Sequence, residues 1–177
     1  MKTILTVSLA AFLSVGLVDF AFASPQTEGS INAIRQQYAA INKRLGKYRR
    51  VKKRLSGFSL EGGELTAYFQ GPAIMKIVAM HYGEGGRTLE EYYYRDGKLI
   101  FVFEKVFQYD RPLSGKVVST IETRFYYDND KLIRWLDEKG LPAVVDAEHR
   151  ALKSREWLAN SNKFITAARS KKHTVEA

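Results

Sequence analysis

Apolar residues near the start of the chain follow the period of an α-helix. They recur at steps of three and four residues: Ile31, Ile34, Tyr38, Ile41 and Leu45. Ser30 stands just before this stripe and is a favourable N-cap residue. Val51 and Leu55 continue the same spacing beyond Gly46, so the pattern predicts a helix that runs to about Leu55.

Between residues 57 and 137 the pattern changes to a period of two, which is typical of strands with one buried face. Turns rich in Gly, Pro, Asn and Asp separate six such segments: residues 64–70, 74–82, 88–94, 98–109, 116–127 and 131–137. No helical pattern lies between these segments. The sequence therefore predicts an antiparallel meander of about six strands rather than a parallel sheet.

A nine-residue pattern occurs twice within this region. YYYRDGKLI, residues 92–100, is followed by FYYDNDKLI, residues 125–133. Asp-Gly is a strong signal for a two-residue hairpin turn, and Asn129 and Asp130 tolerate the left-handed backbone that such a turn needs. We therefore interpret both copies as hairpins, in which an aromatic triplet ends one strand and Lys-Leu-Ile begins the next.

The last part of the chain carries a looser helical stripe. Residues 146–170 predict a second helix with Asp146 as its N-cap, and Ser161 and Asn162 mark a place where this helix could be interrupted. Residues 171–177 predict a frayed tail.

The first 23 residues have the three parts of a secretory signal peptide. Lys2 gives a positive start, residues 4–18 are almost entirely apolar, and Ala21 and Ala23 supply small side chains at the two positions that a signal peptidase reads. The apolar run is shorter than the ~20 residues of a membrane-spanning helix, which makes a retained anchor the weaker alternative. We expect cleavage after about Ala23, a periplasmic or extracellular location, and no membrane span after cleavage.

The predicted fold class is therefore α+β. A signal peptide at residues 1–23 precedes a domain at residues 24–145, in which an N-terminal helix packs on the antiparallel meander. A C-terminal helix and tail follow at residues 146–177.

Composition adds a net charge of +9 and a complete lack of cysteine in this chain. Without cysteine the chain forms neither disulfides nor thiolate metal sites, and it has no thiol nucleophile. The positive charge favours an anionic partner, either an acidic protein or an anionic polymer of the cell envelope, although a charge surplus also serves to keep a protein dispersed. A nucleic acid is not an expected partner, because the signal peptide directs the chain out of the cytoplasm.

Two groups of residues are candidates for binding an anion. The first lies between Lys47 and Leu55 and contains Lys47, Arg49, Arg50, Lys52, Lys53 and Arg54. Its alternative interpretation is the solvated side of the first helix. The second is a sheet face rich in tyrosine and arginine, formed by Tyr92, Tyr94, Arg95, Arg124, Tyr126 and Arg134. Here the alternative is that the tyrosine rings fill the edge of the core, with their hydroxyls at its rim.

Residues suited to catalysis are few. His81 and Glu84 lie on one strand and its turn, and Glu90 and Glu91 lie on the next strand, a set that could supply an acid/base pair. The alternative is a strand histidine beside solvated carboxylates, which we favour because no recognised ligand or catalytic spacing is present. The three histidines are far apart in sequence, so we expect no metal. The glycine-containing stretches EGGEL and GEGG match neither a P-loop nor a dinucleotide fingerprint, so we expect no cofactor.

Several longer strings resemble a group of small exported bacterial proteins without an assigned activity. The strings are EGGELTAYF, YGEGGRTLEEYYYRDGKLIFVFEKV and FYYDNDKLIRWLD, preceded by IRQQYAAINKRL. Single YYxxGKL units are also similar to MORN-type hairpin repeats, but the copies are too few and too widely spaced for that family. The resemblance implies an exported single domain and gives no catalytic residues.

The sequence thus favours an exported, non-catalytic binding protein for an anionic envelope component or an acidic protein. A small hydrolase that acts on envelope material through the carboxylates near His81 is the alternative, and a structural or assembly subunit is a third possibility.

Overall fold

The computed structural model describes residues 25–176, so the predicted signal peptide, residues 1–23, lies outside the described residues. It contains two α-helices and one sheet: α1 (Pro25–Lys43), β1 (Arg49–Ser56), β2 (Gly63–Gln70), β3 (Ala73–Gly83), β4 (Gly86–Arg95), β5 (Lys98–Tyr109), β6 (Val117–Asp128), β7 (Lys131–Leu136), α2 (Ala147–Arg169) and β8 (Thr174–Glu176). A short 3-10 turn, Leu45–Lys47, links α1 to β1. The predicted α+β class, with a helix before and a helix after an antiparallel sheet, is confirmed.

Seven of the strands form a meander in which neighbours in sequence are neighbours in the sheet. The strand order is β7-β6-β5-β4-β3-β2-β1-β8, and each successive pair from β1 to β7 is antiparallel. β8 extends the sheet by pairing parallel to β1. All six predicted strands are present, and β1 and β8 are additions that the pattern did not predict.

β1 replaces the predicted extension of the first helix, so the prediction of a helix to Leu55 is wrong. α1 ends at Lys43, and Gly46 lies in the 3-10 turn that follows. Val51 and Leu55 are four residues apart, a spacing that lies on one face of a strand as well as on one face of a helix. The register of β1 against β2 places Lys53 between them on that face, opposite Leu65.

β8 lies in the segment that was predicted to be a frayed tail, and this prediction is also wrong. Val175 pairs in register with Leu55 of β1, and both side chains are buried in the same core. One apolar residue among polar neighbours gives no periodic signal, so only the packing of Val175 against the sheet fixes this strand.

The two helices cover opposite faces of the sheet, which we call the α1 face and the α2 face. On the α2 face, Trp157 and Phe164 of α2 pack on the rings of Tyr92, Tyr94, Phe125 and Tyr127. On the α1 face, Ile31, Ile34 and Ile41 of α1 pack with Tyr93, Phe101 and Tyr126. A sheet that is covered on both sides needs buried side chains on both sides of its central strands.

The repeated pattern places its two aromatic triplets between the helices. All six triplet residues are buried: Tyr92, Tyr93, Tyr94, Phe125, Tyr126 and Tyr127. Both turns have the left-handed backbone that was predicted, with φ values of 52° and 77° at Asp96 and Gly97 and of 48° and 62° at Asn129 and Asp130. The hairpin interpretation of the repeat is confirmed, and each triplet supplies rings to both cores.

α2 begins at the predicted cap and continues without interruption. The side chain of Asp146 accepts a hydrogen bond of 2.7 Å from the backbone N–H of His149. Ser161, the predicted point of interruption, is buried inside the helix and shares a hydrogen bond of 3.0 Å with the Tyr94 hydroxyl. Within residues 25–176, no helix combines the length and the apolar composition needed to cross a bilayer.

Candidate ligand-binding site

The tyrosines of the predicted binding face are core residues. Tyr92, Tyr94 and Tyr126 are 0%, 1% and 5% exposed, respectively. Tyr92 and Tyr94 lie under α2, whereas Tyr126 lies on the opposite face, under α1. The expectation that these rings form one exposed face is wrong, because each face of the sheet is covered where the triplets lie.

The basic stretch is divided between the two faces of β1. Arg50 and Lys52 are exposed on the α1 face, opposite Tyr68 and Thr66 of β2. Arg49 is exposed on the α2 face, where its guanidinium lies 4.4 Å from the centre of the Phe69 ring. The stretch therefore does not form one continuous cationic surface.

Lys53 does not belong to the predicted surface patch, because its side chain is buried. Its ammonium donates a hydrogen bond of 2.8 Å to the carbonyl of Ser170 and another to the carbonyl of Lys172. These contacts join β1 to the segment between α2 and β8, which gives Lys53 a structural role.

The remaining predicted arginines lie at three different places. Arg95 is half-buried at the end of β4, and Arg134 of β7 forms an ion pair with Glu28 of α1. Arg124 lies on the α1 face beside a groove between α1 and the sheet. This groove, the α1 groove, has a volume of about 340 Å³ and is lined by Ile34, Arg35, Tyr38, Phe101, Phe103, Glu122, Arg124 and Tyr126.

The floor of the α1 groove is aromatic, and two guanidinium groups lie on it. Arg35 of α1 lies 5.9 Å from the centre of the Tyr126 ring, and Arg124 of β6 lies 5.2 Å from that of Phe103. Tyr38 forms the rim; its ring meets the Phe101 ring edge-on at 5.4 Å and is 38% exposed. The groove thus offers flat apolar surface and charge-bearing donors to the same ligand.

Glu122 holds two cations in place at the border of the groove. Its carboxylate accepts hydrogen bonds of 2.9 Å from Lys105 and 2.7 Å from Arg124. The hydrogen bond from Lys105, assisted by Arg124, lowers the pKa of Glu122 although burial acts in the opposite direction. Glu122 is therefore ionised near neutral pH. With Arg35 included, the groove retains an excess of positive charge.

Aromatic rings and cations continue along β5 beyond the groove. Phe107 is half-buried on the same face as Phe103, with Arg87 at 4.6 Å and Lys105 at 5.4 Å from its ring centre. This strip was not predicted from the sequence, because the predicted binding face contains tyrosines and arginines but no phenylalanines. The alternation of Phe101, Phe103 and Phe107 in the string FVFEKVF carries the signal.

The candidate catalytic residues do not converge on one site. His81 Nε2 lies 3.4 Å from Glu90 Oε2 without a hydrogen bond between them, and this oxygen accepts a hydrogen bond of 2.6 Å from the Tyr92 hydroxyl. Glu91 projects from the opposite face of β4, and Glu84 is exposed in the β3–β4 turn. His81 is flanked by the rings of Phe58 and Phe164 at 6.2 Å and 6.4 Å. His81 and Glu90 therefore lie side by side, whereas Glu84 and Glu91 lie apart from them.

Glu91 belongs to a polar network under α1. It accepts hydrogen bonds of 2.7 Å from Lys76 and 2.6 Å from the Tyr93 hydroxyl, and Asn42 of α1 bonds to both donors. Burial lowers the pKa of Lys76, while the charge of Glu91 opposes this effect. All four side chains are paired, so we assign this network to packing. Over the stretch of chain from residue 25 to residue 176, no three His, Asp or Glu side chains are arranged to hold a metal ion.

The chain matches no protein-family model, and comparisons with curated proteins and with solved structures give no similar chain. The resemblance to small exported bacterial proteins therefore stays a prediction, and the geometry of the site carries the functional argument.

Proposed function

We propose that the protein is exported and acts as a non-catalytic binding protein, with the α1 groove as the site for an anionic polymer of the cell envelope. The export part of the proposal is supported by the signal-peptide pattern of residues 1–23. The binding part is supported by one observation above all: Arg35 and Arg124 lie on the aromatic floor of a groove of about 340 Å³.

The chemistry of the groove suits a charged sugar unit. Ligand sites usually measure ~300–1,000 Å³ and combine apolar walls with a few fixed polar groups. The half-buried ring of Phe103 and the exposed ring of Tyr38 would pack against the apolar face of a sugar ring. The guanidinium groups would donate to its carboxylate, phosphate or sulfate, since Arg forms strong paired hydrogen bonds with such groups.

The strip beyond the groove suits the next units of a polymer. Phe107, Arg87 and Lys105 repeat the combination of ring and cation along β5. Further positive charge lies on the same face at β1, from Arg50, Lys52 and Arg54. Glu64, which pairs with Arg54 in the sheet, offsets one of these charges. A long polyanion could therefore contact several cations at once, which raises its affinity above that of a single unit.

Equilibrium binding of polygalacturonate, with neutral dextran as the control, tests the proposal. We expect polygalacturonate to bind at low salt and dextran to bind weakly or not at all. Raising the salt concentration should weaken the binding strongly, because exposed charges are screened within ~8 Å at physiological salt. Retention at high salt would show that ring contacts rather than charges hold the polymer.

Two double variants that remove equal charge locate the site. The double variant Arg35→Gln with Arg124→Gln should weaken polygalacturonate binding by about tenfold or more, because each substitution removes charge-assisted hydrogen bonds to the polymer. Arg111→Gln with Arg155→Gln removes the same charge from exposed positions outside the groove and should have little effect. Equal losses in the two double variants would refute the groove as the site.

A hydrolase that acts on envelope material remains the second candidate, and the contact between His81 and Glu90 is the observation that favours it. Replacing His81 by Ala together with Glu90 by Gln would abolish the turnover of an enzyme. A binding protein of the proposed kind would keep its affinity for polygalacturonate in that variant. Hydrolysis of an envelope polysaccharide that disappears in the double variant would replace the binding proposal.

A further inference from the structure

The outer edge of β8 presents unpaired backbone groups. The N–H of Arg54 donates to the carbonyl of His173 at 2.9 Å, and Arg54 pairs with Thr174 in the parallel register. In this register the N–H of Val175 also faces β1. Successive residues of a strand direct their backbone groups to opposite sides, so those of Thr174 and Glu176 point away from the sheet. No strand within residues 25–176 pairs with this edge.

The opposite edge of the sheet is covered, in contrast. The segment after β7 folds back on it: Pro142 bridges Leu136, and the N–H of Ala143 donates to the carbonyl of Trp135 at 3.0 Å. Proteins commonly protect edge strands in this way, because a free edge pairs readily with other chains. The difference between the two edges singles out β8.

A groove runs beside the free edge of β8, and we call it the β8 groove. It has a volume of about 600 Å³ and lies between β8 and α2. Its walls include Asn162, Lys163, Thr166 and Ala167 of α2, together with Lys172 and Val175. A strand added next to β8 would place alternate side chains in this groove, under the C-terminal half of α2.

The charge around the β8 groove is positive and unpaired. Two cations, Lys163 and Lys172, lie on its walls, and Lys171 precedes Lys172 in the chain. None of them forms an ion pair with any residue of the described part of the chain. Glu176 is the acidic residue of the lining. An occupant with acidic side chains would complement this surface.

We propose that an extended acidic peptide segment of another protein binds here as a ninth strand, paired with the outer edge of β8. Its backbone would bond to the outward groups of Thr174 and Glu176, and its alternate acidic side chains would enter the β8 groove. These acidic side chains would lie near Lys163 and Lys172. Strand addition of this kind draws affinity from main-chain hydrogen bonds and specificity from side-chain pockets. The surface is separate from the α1 groove and does not depend on it.

Fluorescence anisotropy of a labelled heptapeptide of alternating glutamate and valine tests the proposal on the purified protein. The peptide of alternating lysine and valine is its control. We expect the acidic peptide to bind and the basic peptide not to bind. Equal binding of both, or of neither, would overturn the proposal.

Three variants test the position of the peptide. Thr174→Pro removes an outward N–H without removing a bond to β1, and edge strands tolerate proline at such positions. We expect Thr174→Pro to weaken binding of the acidic peptide by about tenfold, because one hydrogen bond is lost and its acceptor in the peptide stays unpaired. The control variant Thr174→Ala keeps the backbone N–H and should bind the peptide normally. Unchanged binding in Thr174→Pro would overturn the proposal.

Should Thr174→Pro fail to fold, the charge-reversed double variant Lys163→Glu with Lys172→Glu decides, because both side chains are exposed. We expect it to lose the acidic peptide and to bind the basic peptide. A double variant that still prefers the acidic peptide would contradict the proposed placement.

Discussion

The ammonium of Lys53 lies 2.8 Å from the carbonyl oxygen of Ser170, the residue that caps the C-terminus of α2. It also donates to the carbonyl of Lys172, and its side chain is only 8% exposed. The C-terminal end of a helix carries partial negative charge, which stabilises a cation there without a carboxylate partner. One lysine therefore ties the first strand of the sheet to the end of the last helix.

Replacing Lys53 by Met should destabilise the protein. The substitution leaves two carbonyl groups in a partly buried site without their donor, which costs about 1–3 kcal/mol. Lys52→Met is the matched control, because Lys52 is the exposed neighbour on the other face of β1, and it should change stability by no more than about 0.5 kcal/mol. Urea denaturation measures both variants. Equal stabilities of the two variants would show that the Lys53 contacts do not stabilise the fold.

Much of the fold follows from local sequence, and the exceptions have identifiable causes. The six predicted strands and both hairpin turns appear where alternation and the Asp-Gly and Asn-Asp pairs place them. The pattern failed at β1 because Val51 and Leu55 satisfy the helical and the strand period equally. It failed at β8 because a strand of three residues depends on its neighbour, here Leu55, rather than on its own periodicity.

The candidate site was predicted less well, because burial depends on which elements cover a face. Tyr92 and Arg124 look equally available in the sequence. In the structure α2 covers Tyr92, whereas Arg124 lies on the opposite face of the sheet, at the α1 groove. Arg35 gave no local signal, since only the packing of α1 on the sheet brings it near Tyr126. A contact between two residues that are 91 positions apart, such as Arg35 and Tyr126, leaves no trace in a periodic pattern.

Tyr94 and Ser161 should be energetically coupled. Their hydroxyls share a hydrogen bond of 3.0 Å in the core under α2. Tyr94→Phe or Ser161→Ala alone leaves a buried hydroxyl without this partner, at a cost of about 1–3 kcal/mol. The double variant should lose less than the sum of the two, which a double-mutant cycle in urea detects. Tyr94→Phe combined with Ser119→Ala is the control, because Ser119 is distant from Tyr94 and the two losses of stability should simply add. Additive losses for Tyr94→Phe with Ser161→Ala as well would show that the hydrogen bond contributes nothing.

Stability should fall in alkaline solution as unfolded tyrosines ionise. Burial raises the pKa of Tyr92, Tyr93 and Tyr94, and it raises that of Tyr127 to about 12. Above pH ~10 the unfolded chain therefore binds fewer protons than the folded chain, and the free energy of unfolding decreases. Below that pH these groups contribute their full stability. Tyrosinate absorbance should show the four residues ionising only as the protein unfolds, and complete ionisation of the folded protein near pH 10 would contradict this.

Neutralising Glu122 should strengthen the binding of an anionic polymer in the α1 groove. Because Lys105 and Arg124 hold its pKa low, Glu122 is charged at neutral pH and repels an anion bound beside Arg124. Glu122→Gln removes that charge and keeps one of the two oxygens that accept from Lys105 and Arg124, so we expect about two- to tenfold tighter binding of polygalacturonate at low salt. The gain should shrink as salt screens it. Glu138→Gln makes the same change at an exposed position between β7 and α2 and should have little effect. Equal gains in both variants would indicate attraction by net charge alone, and unchanged binding in Glu122→Gln would mean that the polymer binds elsewhere.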